Sequence, residues 1–286
     1  MNHAHQRYLL AKGSIDDRAY NTDVQNALLC RCPTAPRIVE AGCGTGNTIK
    51  RLFDWGIDEF DYFGVDTDPE IISFARHLSL RELRHADFAV TKTETGGQLD
   101  RATFAFEQGN AHSRLPQHGA ADLFIAQAFA DLVEPNTMIN TIEAALAPNG
   151  LAYLPITFDG GSIFAPEHEV DDLVERAYHR GLERAGQYPR AGRQLIALLG
   201  DRSGTLISAG GSDWIIRSID GTYPADERYF LSCILDFVSM TVNPESVGLD
   251  ASAFAEWLRI RRTQLDDGKL VYATHQYDLL YQVAST

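Results

Sequence analysis

The residues of this sequence with the most chemistry in their types and spacing are Glu40-Ala41-Gly42-Cys43-Gly44-Thr45-Gly46-Asn47. The glycines let the chain turn tightly and let a ligand approach the backbone. A helix expected to start at or near Asn47 adds free amide donors and the positive end of a dipole. Three ligand classes compete for such a loop. A nucleoside-triphosphate loop ends in Gly-Lys-Ser/Thr, which is missing here. A dinucleotide fingerprint, Gly-x-Gly-x-x-Gly, needs its third glycine at 47, where Asn47 stands. A pyrophosphate also disfavours an acidic residue on the loop's approach, and Glu40 occupies that place. Glu40 suits a ligand with a cationic amine or sulfonium nearby. Asp66 lies twenty residues after Gly46, at the end of a second apolar run, where a carboxylate can take both ribose hydroxyls. Together these residues favour a nucleoside without phosphate that bears a charged amino-acid tail.

The elements that position these residues follow from periodicity. The first 35 residues read as polar and helical, with Ser14-Ile15-Asp16-Asp17 resembling an N-terminal capping signal and the prolines at 33 and 36 ending the segment. From Arg37 strands alternate with helices. Ile38–Glu40 and Asp61–Asp66 are the first two strands. Asp68 caps a helix with Pro69 in its first turn and a buried stripe of Ile71, Phe74, Ala75 and Leu78. A hairpin turning at Gly96-Gly97 supplies the third strand, Ala102–Gln108. Asp122–Ala126 is the fourth, apolar enough to be buried on both faces. A helix through Met138, Ile139, Ile142 and Leu146 ends at Pro148-Asn149-Gly150. Leu151–Phe158 is the fifth strand, with Pro155 expected at its exit because proline lacks the ladder donor. Beyond Gly160-Gly161 come helices over Val170–Leu182, Arg193–Leu199, Asp226–Thr241 and Ser252–Asp267. A short strand at Thr205–Ser208 precedes a turn at Gly210–Trp214, and Lys269–Gln282 ends the chain as a strand.

Composition bounds the function. The 286 residues are 44% hydrophobic and 10% aromatic, ordinary for a globular chain with a real core. A net charge of −14 argues against a protein that wraps a phosphate backbone and fits small neutral or cationic partners. No apolar stretch is long enough to span a membrane, and no secretory signal is read at the start, so a cytoplasmic location is expected. Four cysteines at 30, 32, 43 and 233 are too few and uneven for a disulfide framework, and Cys30-Arg31-Cys32 has no second pair to complete a zinc site. No metal site is expected.

Ile38-Val39-Glu40-Ala41-Gly42-Cys43-Gly44-Thr45-Gly46 closely resembles the first motif of class I S-adenosylmethionine-dependent methyltransferases. The resemblance extends to Val65-Asp66-Thr67-Asp68-Pro69, to Gln108-Gly109-Asn110-Ala111, to Asp122–Gln127 and to Leu146–Leu151, five elements in the family's order. It implies an α/β fold: a Rossmann-like, seven-stranded, mostly parallel sheet with helices on both faces, here with a helical N-terminal lid and a cap insertion. It implies S-adenosyl-L-methionine as cofactor, with Gly42, Gly44 and Gly46 lining the methionine and ribose part, Cys43 and Asn47 also among the cofactor-binding residues, and Glu40 beneath the loop, either ordering it or meeting the amino group through water. Asp66 would hold the ribose hydroxyls and Thr67 would flank the adenine. Asn110 and Ala111 would face the adenine edge, although the family usually has Asp where Asn110 stands. Gln127 would be delivered by the fourth strand to the methyl group.

Methyl transfer is an in-line displacement in which placement of the nucleophile supplies much of the acceleration, and a base is needed only for a hydroxyl or protonated amine. Candidates on the acceptor side are therefore positional. Asp131 either touches substrate or caps a helix. His168 is either the base or a solvated loop residue. Tyr20 and Arg18, in the leading helical segment, are candidates to line the site. Trp214 either walls the acceptor pocket or anchors the cap. The Asp/Asn-Pro-Pro-aromatic element that nucleic-acid amino methyltransferases carry at the fourth strand is replaced by Ala126-Gln127-Ala128-Phe129.

The expected organisation is a lid over 1–35, a cofactor-binding core over 36–161, a cap in two parts over 162–203 and 210–268, and core strands over 204–209 and 269–286. The expected function is methylation of a small-molecule acceptor at oxygen or nitrogen, without nucleic-acid or membrane partners and with a homodimer compatible. The alternatives are an NAD(P)-dependent oxidoreductase and a non-catalytic S-adenosylmethionine-binding protein.

Overall fold

Helices α1 (His3–Ala19) and α2 (Thr22–Leu29) open the computed structural model, which describes the backbone of residues 3–285 and the side chains of residues 5–285. β1 (Arg37–Ala41), α3 (Asn47–Asp54), β2 (Phe60–Asp66) and α4 (Pro69–His85) come next. They are followed by β3 (Thr91–Lys92), β4 (Gly96–Gln98), β5 (Ala102–Gln108) and α5 (Ala111–His118). β6 (Ala121–Ile125) leads through a 3-10 turn at Ala130–Leu132 to α6 (Pro135–Ala145) and the long β7 (Leu146–Ala165). After α7 (Asp171–Arg184) and α8 (Ala191–Gly200) come β8 (Thr205–Gly211), β9 (Trp214–Ile216), α9 (Glu227–Thr241), α10 (Ala251–Asp266) and β10 (Val271–Gln282).

The strands make one sheet in the order β3-β4-β5-β2-β1-β6-β7-β10-β8, with β9 paired to β10. β5, β2, β1, β6 and β7 are mutually parallel, and β10 runs antiparallel between β7 and β8. This is the Rossmann-like α/β architecture, with the short β3, β4 and β9 enlarging the expected seven strands to ten.

Three apolar clusters organise the layers. One face of the sheet packs on α2, α3 and α4 through Val24, Leu28, Ile49, Leu52, Ala75 and Leu83. The other packs on α5, α6 and α8 through Leu115, Met138, Ile142, Leu195 and Leu199. The third cluster joins α1, α7, α9 and α10 to Ile156, Trp214 and Tyr272, outside those two layers. Among the described residues, no helix is long and apolar enough to cross a membrane.

Several local expectations need correction. Ser14–Asp17 lies inside α1 rather than at a helix start. The break falls at Asn21, whose side chain accepts from the amides of Asp23 and Val24. Gly96 and Gly97 are strand residues opposite Ala105 and Phe104, and the turn falls between Gln98 and Ala102. The Phe104 ring occupies the space a side chain at Gly97 would need. In α4 Phe74 is half-buried and Ile72 takes its place in the core. Leu146 belongs to β7, not α6, and Gly210 and Gly211 belong to β8.

The fifth strand does not stop at Phe158. β7 continues past Gly160-Gly161 because β10 pairs with it as far as Val271–Ala165, with an irregularity opposite His275 absorbing the glycines. Pro155 therefore sits within the strand. It is tolerated because Pro155-Ile156 forms a bulge against Asp278, where the ladder is already broken. Asp278 Oδ1 accepts the Ile156 amide at 2.8 Å and holds that β-branched residue at φ +57.

Candidate active site

The glycine loop sits at the carboxyl end of β1, between β2 and β6. Gly42, Gly44 and Gly46 adopt φ of +66, +50 and +79, conformations that side chains with a Cβ rarely enter. At Gly42 the requirement is also steric, since a Cβ there would meet the Phe129 ring at 2.3 Å. Gly46 caps α3, so the first amides of α3 follow directly on the loop.

Glu40 is 2% exposed beneath this loop. It accepts from Thr48 Oγ1 at 2.9 Å and from the Tyr62 hydroxyl. Burial pushes its carboxyl up to about 7, against the pull of those two donors and Arg51. Cys43 is buried beside it, and burial raises its thiol well above the ordinary range. At the tip of β2, Asp66 Oδ2 accepts the Gly44 amide at 3.2 Å and Oδ1 accepts the Asp68 amide at 3.0 Å. A carboxylate has about four acceptor positions, so roughly two remain for a ligand.

Helix α1 crosses the loop, with Leu9 against Gly44. Lys12 donates to Asp16 Oδ2 at 2.7 Å, both nearly buried. Trp214 Nε1 donates to Asp16 Oδ1 at 3.1 Å. Gln127, just past β6, donates to Asp16 Oδ2 at 2.9 Å, and its Oε1 accepts from Tyr20 and Arg51 at 2.8 and 3.0 Å. Sequence reasoning missed Lys12 and Asp16. Their i,i+4 spacing on a helix was the available signal, but it says nothing of the loop beneath.

Two cavities meet at Gly42 and Gly44. The smaller, about 60 Å³, is lined by Glu40, Cys43, Asn47, Arg51 and Gln127 with Lys12 and Asp16. The larger, about 500 Å³, starts at Asp66 and Thr67 and passes Gln127 and Phe129 to Asp131 and Trp214. Its far walls, Tyr8, Phe158, Tyr178, Phe237, Tyr272 and Gln276, come from α1, β7, α7, α9 and β10; of these only Tyr8, in the leading helical segment, stood out in the sequence. Asp131 lies in the 3-10 turn and caps no long helix; Glu134 caps α6 instead. Burial lifts the Asp131 carboxyl to about 6, against its own amide, Lys12 and the Phe158 amide.

Other expected site residues fall elsewhere. His168 lines neither cavity; its Nδ1 accepts the Val170 amide at the start of α7. Arg18 also lies outside them, half-exposed and 2.7 Å from the buried Glu227 carboxylate. Tyr20 reaches the site through its bond to Gln127 rather than by lining a cavity. Asn110 is exposed and caps α5 through the His112 amide at 2.9 Å, and Ala111 is buried in the first turn; neither lines a cavity. The neighbouring Gly109 amide does bond the Asp66 carbonyl at 2.9 Å, keeping this segment beside the loop.

Residues 35–155, less than half of the chain, match the family model described as a methyltransferase domain. Among solved structures, a candidate sarcosine dimethylglycine methyltransferase from Galdieria sulphuraria shares 12% identity, with 99% of each chain covered and a TM-score of 0.50. An S-adenosylmethionine-dependent methyltransferase from Geobacter sulfurreducens, in complex with S-adenosyl-L-homocysteine, shares 16% identity over 92% of each chain, with a TM-score of 0.47. A counterpart from Thiobacillus denitrificans, also in complex with S-adenosyl-L-homocysteine, shares 13% identity over 93% of this chain and 92% of that one, again at 0.47. At these identities the likeness speaks to fold alone. No curated protein matches. The glycine loop, the strand order and the family match mark residues 35–155 as a methyltransferase domain.

Proposed function

We propose that the chain is an S-adenosylmethionine-dependent methyltransferase acting on a small-molecule acceptor, at oxygen or nitrogen, inside the 500 Å³ cavity. One observation carries the reading. The cavity runs without interruption from Gly42, Gly44 and Asp66 to Asp131 and Trp214, with walls from several elements. In this reading Asp66 takes the ribose hydroxyls, Thr67 and the Asn110-Ala111 segment flank the adenine, and Gly42, Gly44 and Gly46 border the methionine part. The residues present fit such a cofactor: the loop is open-backed, Asp66 keeps acceptor positions, and the Glu40 and Asp66 carboxyl groups stand beside it. When bound, S-adenosylmethionine supplies a methyl group on a positively charged sulfur.

The chain's own residues do the rest. Gln127 and Asp16 hold α1 over the loop, which limits water around the cavity. Asp131 is the group placed to accept an acceptor proton. Residues 1–35 and the helical segments within 162–268 serve as lid and cap in this reading, supported by the apolar cluster that α1 shares with α7, α9 and α10. Four free thiols agree with a cytoplasmic setting. The test is to incubate the full chain with methyl-labelled S-adenosylmethionine and separate pools of cell metabolites, protein and nucleic acid. Label is expected in the metabolite pool, and transfer confined to either macromolecular pool overturns the reading.

A further inference from the structure

The large cavity has an uneven chemistry. Seven Phe, Tyr and Trp rings line it, among them those of Tyr8, Tyr178, Trp214, Phe237 and Tyr272. Among its polar groups, Gln276 is 2% exposed, and its side-chain oxygen has no hydrogen-bond donor within the protein. A buried acceptor left unpaired is costly, so a ligand N–H or O–H is its natural complement. Asp131, on another wall of the same cavity, is a second acceptor set in low-polarity surroundings. The lining ammonium, Lys12, is already committed to Asp16 at 2.7 Å. The cavity therefore offers acceptors and ring faces, with the Ser162 and Thr274 hydroxyls able to donate or accept and His5 at its wall, while its lysine is engaged elsewhere. Ring faces and a carboxylate attract a cation, and unpaired acceptors call for a donor.

We infer that the acceptor is a small amine on an apolar body, held as an ammonium by Asp131 and the Gln276 side-chain oxygen, with its body among the rings. This rests on the reading of the cavity as the acceptor chamber. An anionic acceptor would face Asp131 without a free lysine to offset it. A neutral alcohol would satisfy one acceptor but gain little from the ring faces. For transfer, the ammonium gives one proton to Asp131. The freed nitrogen lone pair forms the new nitrogen–carbon bond while the methyl–sulfur bond breaks, its electron pair remaining on sulfur.

The test is calorimetric titration of the full chain near neutral pH with phenethylamine, phenethyl alcohol and phenylacetate. Phenethylamine should bind about tenfold or more tighter than phenethyl alcohol, and phenylacetate weakest. Asp131→Asn should bring amine and alcohol to similar affinity. Gln276→Leu should weaken the amine more than the alcohol, and it keeps the question decidable if Asp131→Asn does not fold, as checked by circular dichroism. The inference is overturned if no probe binds, if alcohol or phenylacetate equals the amine, or if the folded variants keep the full preference. Titration of S-adenosylhomocysteine into the same samples separates the two readings. Its binding without amine selectivity sinks the amine and spares the cofactor site, and amine selectivity without its binding does the reverse.

Discussion

The side-chain amide of Gln127 donates to Asp16 Oδ2 at 2.9 Å, joining the end of β6 to the helix that lies across the glycine loop. The same Gln127 accepts from Tyr20 and Arg51, so one residue links α1, α3 and the segment between α1 and α2. Its loss leaves the Tyr20 hydroxyl without its acceptor and takes one bond each from Asp16 and Arg51. Gln127→Ala should therefore cost about 1–3 kcal/mol of stability and weaken S-adenosylhomocysteine binding together. Urea denaturation and calorimetry check both; an unaltered denaturation midpoint would show that the network is not cooperative.

Asp66 faces the same cavity from the tip of β2. Asp66→Ala should weaken cofactor binding by roughly 1.5–3 kcal/mol, about tenfold to a hundredfold, if charged hydrogen bonds to the ribose are made. Affinity within twofold of the unaltered chain would refute that role.

Gly42 is held at φ +66 with the Phe129 ring where its Cβ would be. Gly42→Ala should destabilise by roughly 2–4 kcal/mol, combining backbone strain and overpacking. Adding Phe129→Ala should relieve the clash but not the strain, recovering part of the loss. Full recovery in the double variant would mean that the positive φ costs nothing.

Glu40 titrates at about 7 in the folded chain against an ordinary value of 4.5. An acid whose folded value is raised binds its proton more tightly in the native state. Its contribution is therefore most favourable below 4.5, declines as pH rises, and levels off above 7. Glu40→Gln removes that titration. The variant should gain on the unaltered chain across this window, by at most roughly 3 kcal/mol. Melting curves at mildly acid and mildly alkaline pH measure the change; a difference that does not vary with pH would contradict it.

Asp278 is fully buried and accepts the amides of Asn21 and Ile156, each at 2.8 Å. It thereby joins the break between α1 and α2 to the bulge in β7. Asp278→Ala should cost roughly 2–4 kcal/mol, because buried donors lose their acceptor. A loss below about 0.5 kcal/mol on chemical denaturation, the range of ordinary surface changes, would exclude this pinning role.

Much of the frame was legible before any coordinates. The strand runs, the Asp68 cap with Pro69, and the three glycines are local signals, written in contiguous residues with a fixed period or a fixed backbone demand. The turn of the β4–β5 hairpin was misplaced because Gly-Gly usually marks a turn. Here the strand residue Phe104 fills the space beside Gly97. The place of Pro155 was missed because a bulge depends on the partner strand, and Asp278 lies 122 residues from Ile156.

The glycine loop, Asp66 at the tip of β2 and the strand–helix frame were readable in the sequence. A glycine loop, an acid twenty residues on and alternating strands and helices are short-range patterns that constrain the backbone directly. The full lining of the larger cavity follows only from tertiary packing, although Asp131 and Trp214 were positional candidates in the sequence. Lys12, Asp131, Tyr178, Trp214 and Gln276 come from five separate stretches of chain and share no spacing. Burial and mutual proximity gave them their chemistry: Asp131 at about 6, Lys12 taken up by Asp16, and an unpaired oxygen on Gln276.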